Sequence, residues 1–371
     1  MTAPRLTPVV EALPSLVPFV GPETQERRRG SPFRARLGAN ESAFGPSPKA
    51  IAAMREAAAE AWKYGDPENH ELKAAIALHH GVAPENVAVG EGIDGLLGLV
   101  ARMVLEPGTP VITSDGAYPT FNYHVAGQGG RLIKVPFRED REDLGALLDT
   151  ARREGARLLY VSNPNNPMGT WWSAGQIAGL IAGLPPGVLL LLDEAYCDMA
   201  PEGAIPPLDV ANPQVLRFRT FSKAYGLAGA RAGYVIGEPR LARAFDKIRN
   251  HFGVSRVSQA GALAAIEDQA YLTHTVGRIL RSRVRIEHIA RDAGLVPLMS
   301  AANFLTIDCG RDGAFAQAVL EALVARDVFV RKPMVAPQDR CIRVSCGLDP
   351  DLDVFAAELP EALRAAAFIS E

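Results

Sequence analysis

Short apolar runs that alternate with helical patterns from about residue 47 to residue 270 constrain the fold more than any other feature of the sequence. Alternating strands and helices predict an α/β fold, in which helices pack on a mostly parallel sheet. In open sheets of this kind, ligands bind in the crevice beyond the carboxyl ends of the strands. We therefore expect the polar motifs that follow these runs to lie close together. The predicted strands are 87–89, 110–114, 158–161, 188–192, 215–219 and 233–236.

The rest of the sequence indicates further parts on either side of this region. Residues 1–38 are rich in proline and arginine and show little periodicity. Strand and helix patterns start afresh towards the C-terminus, which is typical of a smaller α+β domain. We predict a large domain over 39–275, a small domain over 276–371, and an N-terminal segment, 1–38, that belongs to the small domain. The predicted strands of the small domain are 303–307, 328–331 and 341–345.

Composition excludes several classes of protein. The chain has 371 residues, of which 48% are hydrophobic, so it can bury a large core. Its net charge of −3 gives no reason to expect binding to nucleic acid or to an anionic membrane, and no apolar run is long enough to cross a bilayer. Residues 1–20 lack the pattern of a secretory signal. The four cysteines have neither metal-ligand spacing nor the number that a disulfide framework needs, so we expect a cytoplasmic protein without a metal site.

The segment 219–231 carries the most informative chemistry, and it reads R-T-F-S-K-A-Y-G-L-A-G-A-R. Hydroxyls, backbone N–H groups and a guanidinium are the groups that bind phosphate, so Thr220, Ser222 and Arg231 predict a phosphate site. A lysine in an apolar and cationic pocket loses its proton more easily and can attack a carbonyl carbon. Lys223 therefore predicts pyridoxal phosphate (PLP), bound to the lysine as a Schiff base.

Two other strand ends suit the same cofactor. Asp193 follows the apolar run 188–192, and a carboxylate buried there needs a cation, which the protonated pyridine nitrogen of PLP supplies. A glycine turn after the first strand leads into a helix, and helix N-termini of this kind bind phosphate through backbone N–H groups. Gly92, Ile93 and Asp94 are therefore candidates for a phosphate loop, in which Ile93 contributes only its backbone N–H.

The motifs also resemble those of a known family. S-K-A-Y-G-L-A-G-A-R at 222–231, D-E-A-Y at 193–196 and N-P-N-N-P-M-G at 163–169 are similar to motifs of the fold-type I PLP-dependent aminotransferases of class I/II. The segment N-E-S-A-F-G-P-S-P at 40–48 resembles the histidinol-phosphate aminotransferase subfamily in particular. The resemblance implies a large domain with a mostly parallel seven-stranded sheet, a smaller α+β domain and a homodimer.

The same resemblance implies roles for four residues around the cofactor. Lys223 would form the Schiff base and then move the substrate proton as general base and acid. Asp193 would keep the pyridine nitrogen protonated. Asn166 and Tyr196 would hydrogen-bond the phenolic oxygen of PLP.

Two aromatic contacts with the cofactor are implied as well. Tyr118 and Phe121 both lie where the family stacks a ring on the pyridine ring, and the spacing to Gly129 favours Tyr118. Tyr64 matches the family tyrosine that reaches the PLP phosphate of the partner subunit. Without that role, Tyr64 is an ordinary aromatic residue in a turn.

Three residues are candidates for substrate binding. Asn40 begins the segment that covers the substrate in the family. Arg343, inside an apolar strand pattern, resembles the arginine that clamps the substrate carboxylate, although a structural salt bridge is an alternative explanation. Arg331 lies where histidinol-phosphate aminotransferases keep an arginine for the substrate phosphate.

We predict an aminotransferase that moves an amino group from an amino donor, histidinol phosphate-like or aromatic, to a 2-oxo acid such as 2-oxoglutarate. The donor stays open because several residues depart from the subfamily pattern. A decarboxylase of threonine phosphate is one alternative, since it differs only in which Cα bond stands perpendicular to the ring. A non-catalytic binding protein of the same fold is another, although such proteins usually lose the lysine or the aspartate. The departing residues are Phe19, Ser42, Ile93, Gly95 and Met168.

Overall fold

The computed structural model describes residues 4–14 and 20–369 and has a seven-stranded sheet at its centre. The strands of the described residues are β1 (Ala35–Arg36), β2 (Val87–Gly90), β3 (Pro110–Ser114), β4 (Arg131–Val135), β5 (Leu158–Ser162), β6 (Leu189–Asp193), β7 (Val215–Thr220), β8 (Gly233–Gly237), β9 (Val296–Pro297), β10 (Phe304–Asp308), β11 (Val328–Phe329) and β12 (Cys341–Ser345). The order in the large sheet is β2-β8-β7-β6-β5-β3-β4. β8 is antiparallel to both of its neighbours, and the other pairs are parallel. The predicted mostly parallel α/β sheet is confirmed.

The central strands are apolar along their whole length because helices cover both faces of the sheet. β5 and β6 are buried at every position, and the sequence of β6 is L-L-L-L-D. Parallel strands in such sheets read as continuous apolar runs without alternation. This property makes the strands easy to find in the sequence, but it hides which face each side chain occupies.

β4, one of the two edge strands of the large sheet, was not predicted from the sequence. Its sequence, R-L-I-K-V, places a charge at two of five positions, and only Val135 is buried. β4 has one partner and much solvent contact, so it lacks the apolar run that marks β2 at the other edge and the leucine-rich strands of the centre. β4 pairs in parallel with β3 alone.

The helices fill the connections between strands and cover the sheet. Their ends follow the expected signals; the hydroxyl of Ser47, for example, accepts a hydrogen bond from the backbone N–H of Lys49 and caps the helix that follows. The helices are α1 (Pro8–Glu11), α2 (Pro22–Arg29), α3 (Pro48–Ala58), α4 (His70–His80), α5 (Gly92–Val104), α6 (Thr120–Gly127), α7 (Leu144–Glu154), α8 (Ala174–Ala182), α9 (Pro239–Ala244), α10 (Arg256–Glu267), α11 (Gln269–Asp292), α12 (Gly313–Ala325) and α13 (Asp349–Ile369).

The helical stretch 256–292 is two helices rather than one, because the chain leaves helical geometry at Asp268. The Asp268 carboxylate accepts hydrogen bonds from Ser47 Oγ and Lys49 Nζ. α11 crosses the predicted domain boundary at residue 275, so that boundary stays a prediction. One face of α11 is buried, so the helix is amphipathic.

The C-terminal part forms two small sheets. β10 pairs antiparallel with β9 and β12, and β1 pairs in parallel with β11. Residues 35–36 therefore add a strand to the C-terminal part, and the bounds of the N-terminal segment stay a prediction. The strand predicted at 328–331 spans only Val328–Phe329 in the structure. Arg331 lies beyond its end and forms an isolated antiparallel bridge with Arg343.

A buried hydrogen-bond cluster around Asn40 joins the C-terminal part to the large sheet. The Asn40 backbone N–H donates to Ser345 Oγ at 2.9 Å, and Ser345 Oγ donates to Asn40 Oδ1 at 2.9 Å. Asn303 Nδ2 donates to Asn40 O at 3.1 Å. These bonds hold segment 38–41 over the carboxyl ends of the large sheet, where the predicted site lies.

Two general features of the described part of the chain concern its helices and its cysteines. None of its helices is long and apolar enough to cross a membrane. All four cysteines are free thiols. Phe19, one of the departures from the subfamily pattern, lies outside the described residues.

Candidate active site

The carboxyl ends of β5, β6 and β7 open into one cavity of ≈ 360 Å³. The last residue of each strand, Ser162, Asp193 and Thr220, lies at its wall or floor. Polar side chains that the sequence spreads over more than 130 positions meet there because parallel strands end at the same edge of the sheet. The predicted site residues that line the cavity are Ile93, Asp94, Tyr118, Asn166, Asp193, Tyr196, Thr220, Ser222, Lys223 and Arg231.

Lys223 extends into this cavity from the loop after β7. Its Nζ donates a hydrogen bond to Asn40 O at 3.0 Å and lies 5.7 Å from the centre of the Tyr196 ring. Burial, together with the charges of Arg343 and Arg231, lowers the pKa of Lys223 to about 8. Its amine is therefore uncharged far more often at neutral pH than an exposed lysine, which is what attack on a carbonyl carbon requires.

Asp193 is a buried carboxylate without a counter-ion among the described residues. Its Oδ2 accepts a hydrogen bond from the Tyr160 hydroxyl at 2.8 Å, and its Oδ1 accepts one from the Ala195 backbone N–H at 2.9 Å. Burial raises the pKa of Asp193 to about 6, against the opposite effects of these bonds and of the charge on Lys223. Such a carboxylate can hold a cation that enters the cavity.

Asn166 and Tyr196 contact each other at the centre of the site. Asn166 Nδ2 donates to the Tyr196 hydroxyl at 3.3 Å, and Asn40 Nδ2 donates to the same oxygen at 3.4 Å. Burial raises the pKa of Tyr196 above its ordinary value, so its phenol stays protonated and its own proton remains available for donation. The three side chains form one polar cluster beside Lys223.

Arg343 is half-buried in β12, and no carboxylate of the described residues forms an ion pair with it. Its Nη1 donates to Asn166 Oδ1 at 2.5 Å and its Nη2 to Gly38 O at 3.3 Å, while its Nε has no partner among the described residues. Burial lowers the pKa of Arg343 to about 10. The described residues therefore do not form the structural salt bridge considered as an alternative, and a guanidinium with an unused donor suits an anionic ligand.

Arg331 lies beside Arg343 through reciprocal backbone hydrogen bonds. Its Nη2 donates to Val20 O at 2.5 Å, and its guanidinium lies over the Phe329 ring at 5.1 Å. Burial lowers the pKa of Arg331. No described carboxylate pairs with Arg331 either, so two neighbouring arginines are left without a counter-ion.

The opposite end of the cavity has the groups that a phosphate needs. α5 begins at Gly92, which has a φ of 76°. Because glycine has no Cβ, the Arg231 guanidinium can lie close to this backbone: an added Cβ would be 2.6 Å from Arg231 Nη2. Arg231 Nη1 lies 3.4 Å from Ser222 Oγ, and Thr220 Oγ1 donates to that same oxygen at 3.0 Å. A helix N-terminus, two hydroxyls and a guanidinium thus meet at one place.

Burial distinguishes the two aromatic candidates. Phe121 belongs to the core, where it stacks on Tyr160 with ring centroids 4.8 Å apart, and it is not among the residues that line the cavity. Tyr118 lines the cavity. Asp94, also at the wall, accepts a hydrogen bond from His124 Nε2 at 2.9 Å.

Arg331 lines a separate cavity of the described structure, together with Arg29 and Val330. Tyr64 is another predicted site residue that does not line the active-site cavity of its own chain. Its side chain is 76% exposed and contacts the Phe252 ring at 4.6 Å. The predicted role in the site of a partner subunit requires this exposure, and it stays a prediction.

Sequence reasoning missed two buried residues next to the site, Tyr160 and Glu142. Tyr160 sits in a strand that is apolar on both faces, so periodicity gives no signal for the direction of its side chain. Glu142 belongs to the charged run R-E-D-R-E-D at 138–143, which is typical of a solvated loop, yet it is only 2% exposed. No sequence signal distinguishes it from its exposed neighbours.

Glu142 braces the loop that carries Asn166. Its Oε1 accepts hydrogen bonds from Asn165 Nδ2 at 2.7 Å and from Ser162 Oγ at 3.1 Å, and its Oε2 has no partner. Burial raises the pKa of Glu142 to about 8, because the hydrogen bonds do not offset the loss of water. At neutral pH the side chain is therefore mainly a neutral acid.

This raised pKa predicts a pH-dependent stability. In the unfolded chain Glu142 ionises near its ordinary pKa of about 4.3. The folded state therefore binds the extra proton between that value and about 8, so stability falls as pH rises through this window. We expect Glu142→Gln, which cannot ionise, to become more stable relative to the parent protein between pH 5 and pH 9 in urea unfolding experiments.

The control for this experiment is Glu139→Gln, which removes an exposed carboxylate from the same segment. Its free energy of unfolding should decline with rising pH as that of the parent protein does. Glu142→Ala should be about 1–3 kcal/mol less stable than the parent protein at pH 5, because Ser162 and Asn165 lose their acceptor, and it should lack the parent's decline with pH. A Glu142→Gln protein whose stability relative to the parent does not change with pH would contradict the raised pKa.

Comparison with known proteins agrees with this geometry. The family model for aminotransferase class I and II matches residues 35–359. A histidinol-phosphate aminotransferase from Sinorhizobium meliloti, solved in complex with pyridoxal-5'-phosphate, is 54% identical, with a TM-score of 0.95 over 98% of both chains. Histidinol-phosphate aminotransferase 1 of Mesorhizobium japonicum is 35% identical over 92% of this chain and 94% of its own. An aromatic amino acid aminotransferase of Mycolicibacterium paratuberculosis is 34% identical over 93% and 98%. The chain belongs to the aminotransferase class I and II family.

Proposed function

We propose that this aminotransferase uses PLP to move an amino group from histidinol phosphate to a 2-oxo acid such as 2-oxoglutarate. The observation that carries the proposal is the pair Lys223 and Asp193. Both line one cavity, neither forms an ion pair among the described residues, and each has a pKa shifted towards its neutral form. An aldehyde and a protonated ring nitrogen on one ligand would satisfy both groups.

The residues of the cavity fit PLP at each of its functional groups. Asp193 would pair with the ring nitrogen, and Lys223 would bond the aldehyde carbon. Tyr118 would lie against the ring face. The phosphate would occupy the N-terminus of α5 with the groups already described there, namely Gly92, Ile93, Asp94, Thr220, Ser222 and Arg231.

When bound, PLP supplies an electron-accepting ring that stabilises negative charge developing at Cα of the donor. Lys223 would first hold the aldehyde carbon and then, displaced by the donor amine, take the proton from Cα with its free Nζ. The low pKa of Lys223 leaves that amine able to accept a proton near neutral pH. Asn166 and Tyr196 would hydrogen-bond the phenolic oxygen of the cofactor, and their mutual bond fixes both donors in place.

The two unpaired arginines support a donor and an acceptor with anionic groups. Arg343 would bind the carboxylate of the amino or oxo acid, and Arg331 would bind the phosphate of the donor. Segment 38–41, which Asn40 ties to the C-terminal part, would cover the substrate. The similarity to histidinol-phosphate aminotransferases supports this donor.

A second candidate donor is an aromatic amino acid. It is favoured by the similarity to the mycobacterial aromatic amino acid aminotransferase, which covers almost the whole chain. A carboxylate on such a donor needs Arg343 but leaves Arg331 without a role. The structural feature that separates the two donors is therefore Arg331.

The first test is the absorbance spectrum of the protein supplied with PLP. We expect a visible band that Lys223→Ala lacks and that the surface variant Lys134→Ala keeps. Histidinol phosphate should bleach the band and yield pyridoxamine phosphate, and Lys223→Ala should lose at least about 10³-fold in kcat/KM. If only an aromatic amino acid bleaches the band, histidinol phosphate is not the donor. Release of CO₂ from an amino acid would favour the decarboxylase. The absence of any visible band would contradict the role of Lys223.

A second prediction separates the arginines. Arg331→Lys should raise KM for histidinol phosphate by about ten- to a hundredfold and leave KM for an aromatic amino acid unchanged, because only the former carries a phosphate. Arg343→Lys should raise KM for the aromatic amino acid by a similar factor. Steady-state kinetics with both donors measure these effects, and equal losses for both donors in both variants would contradict the assignment.

We also propose a cytoplasmic homodimer in which Tyr64 reaches the cofactor phosphate of the partner subunit. The exposure of Tyr64 and of the neighbouring Trp62, together with the four free thiols, supports this arrangement and compartment. Light scattering should give twice the chain mass, and Tyr64→Phe should weaken PLP binding about tenfold. Tyr123→Phe is the control for an exposed tyrosine. A fully active monomer would exclude the role of Tyr64.

A further inference from the structure

The Tyr160 hydroxyl is the side-chain donor that the described structure places on the Asp193 carboxylate. It donates to Oδ2 at 2.8 Å, while Oδ1 accepts the backbone N–H of Ala195 at 2.9 Å. Tyr160 is fully buried, and Asp193 is 5% exposed. The hydrogen bond is therefore shielded from water, where a bond to a charged group is stronger than at the surface.

The ring of Tyr160 cannot swing away from this position. It stacks on Phe121 with centroids 4.8 Å apart and an interplanar angle of 17°, and Phe121 is itself fully buried on α6. The backbone of Tyr160 is fixed by the pairing of β5 with β6, in which Tyr160 lies opposite Leu191. The hydroxyl is thus held on the carboxylate by packing on one side and by the sheet on the other.

We propose that Tyr160 is a positioning residue, which orients the Asp193 carboxylate towards the cofactor ring nitrogen and keeps that carboxylate ionised. This inference rests on the proposed function. Tyr160 lines the cavity beside Asp193, acts on the cofactor through that carboxylate and takes no part in proton transfer from the substrate. With Oδ2 occupied by the phenol, the free lone pairs of Asp193 are left for a cationic N–H.

The charges near Asp193 explain why such a donor is needed. Burial raises the pKa of Asp193, as does the negative charge of Glu194, whereas Tyr160, Ala195 and Lys223 lower it. Burial and the charge of Asp193 raise the pKa of Tyr160 well above its ordinary value, so the phenol keeps its proton and always donates. Without Tyr160 the carboxyl group would hold its own proton more often, and a neutral acid cannot pair with a cationic ring nitrogen.

Tyr160→Phe isolates the hydroxyl, because phenylalanine keeps the stack on Phe121. The decisive measurement is the ¹⁵N resonance of PLP labelled at its ring nitrogen, which differs between the protonated and the unprotonated ring. In Tyr160→Phe the resonance should move towards the unprotonated position. The dissociation constant of PLP should rise and kcat/KM should fall by about ten- to a hundredfold each, as expected for a lost bond to a charged group.

Tyr234→Phe is the matched control. It also removes a buried phenol, one that is hydrogen-bonded to His80 Nε2 at 2.8 Å outside the cavity. It should lower stability and leave the ¹⁵N resonance unchanged. If Tyr160→Phe fails to fold, 3-fluorotyrosine at position 160 offers a second probe: as a stronger donor it should move the resonance towards the protonated position.

The outcomes are distinguishable. A parent protein that takes up no PLP would overturn the proposed function and the inference with it. A parent protein that takes up PLP with a protonated ring, while Tyr160→Phe gives the same resonance and affinity, would overturn the inference alone. A loss of activity in Tyr160→Phe with an unchanged resonance would mean that the hydroxyl is merely structural.

Discussion

The structure depends on charged groups that are buried without a counter-ion at one edge of the sheet. Neighbouring residues show the contrast. Glu194 is buried and forms ion pairs with both Arg217 and Arg219, so its charge is balanced within the protein. Asp193, one position earlier, forms no ion pair with any cation of the described residues. Removing a partner from a buried charge costs several kcal/mol, so a fold that leaves one unpaired provides a site that a ligand of opposite charge completes.

The same condition applies to the cations of the site. Lys223, Arg343 and Arg331 are held away from carboxylates by backbone carbonyls and amide oxygens, which accept their hydrogen bonds without cancelling their charge. Burial, followed by the charges of Arg343 and Arg231, lowers the pKa of Lys223, and burial also lowers the pKa of Arg343. The site therefore combines a buried carboxylate, a lysine of lowered pKa and guanidinium groups that are proposed to bind anions.

Much of this arrangement was predictable from the sequence because it follows from the ends of apolar runs. Strands such as β6 stand out as runs of leucine, and the residue at the end of each run must lie at the carboxyl edge of the sheet. That argument found Asp193 and Lys223 directly, and the family resemblance added Asn166, Tyr118 and Arg343. The edge strand β4 escaped because its charges face solvent, and no local signal revealed that α10 and α11 separate at Asp268.

Residues that support the site from behind could not be predicted. Tyr160 and Glu142 owe their positions to the pairing of distant segments: one lies in a strand without a polar face, the other in a charged run that reads as solvated. Only the three-dimensional arrangement shows that the phenol meets Asp193 and that the acid meets Asn165. Local sequence patterns therefore predict the side chains that face the ligand better than they predict the side chains that support those residues.

The separation of the two small sheets from the large one has a consequence for how the protein can diverge. The groups proposed to hold the cofactor come from the large sheet and its loops, whereas Arg331 and Arg343 come from β11, β12 and the bridge between them. If these proposed roles are right, substitutions in the C-terminal strands can change which amine is accepted and leave the residues proposed to hold the cofactor unchanged. Relatives at about one-third identity that bear the names of two different donors are the kind of diversity that such a modular layout permits.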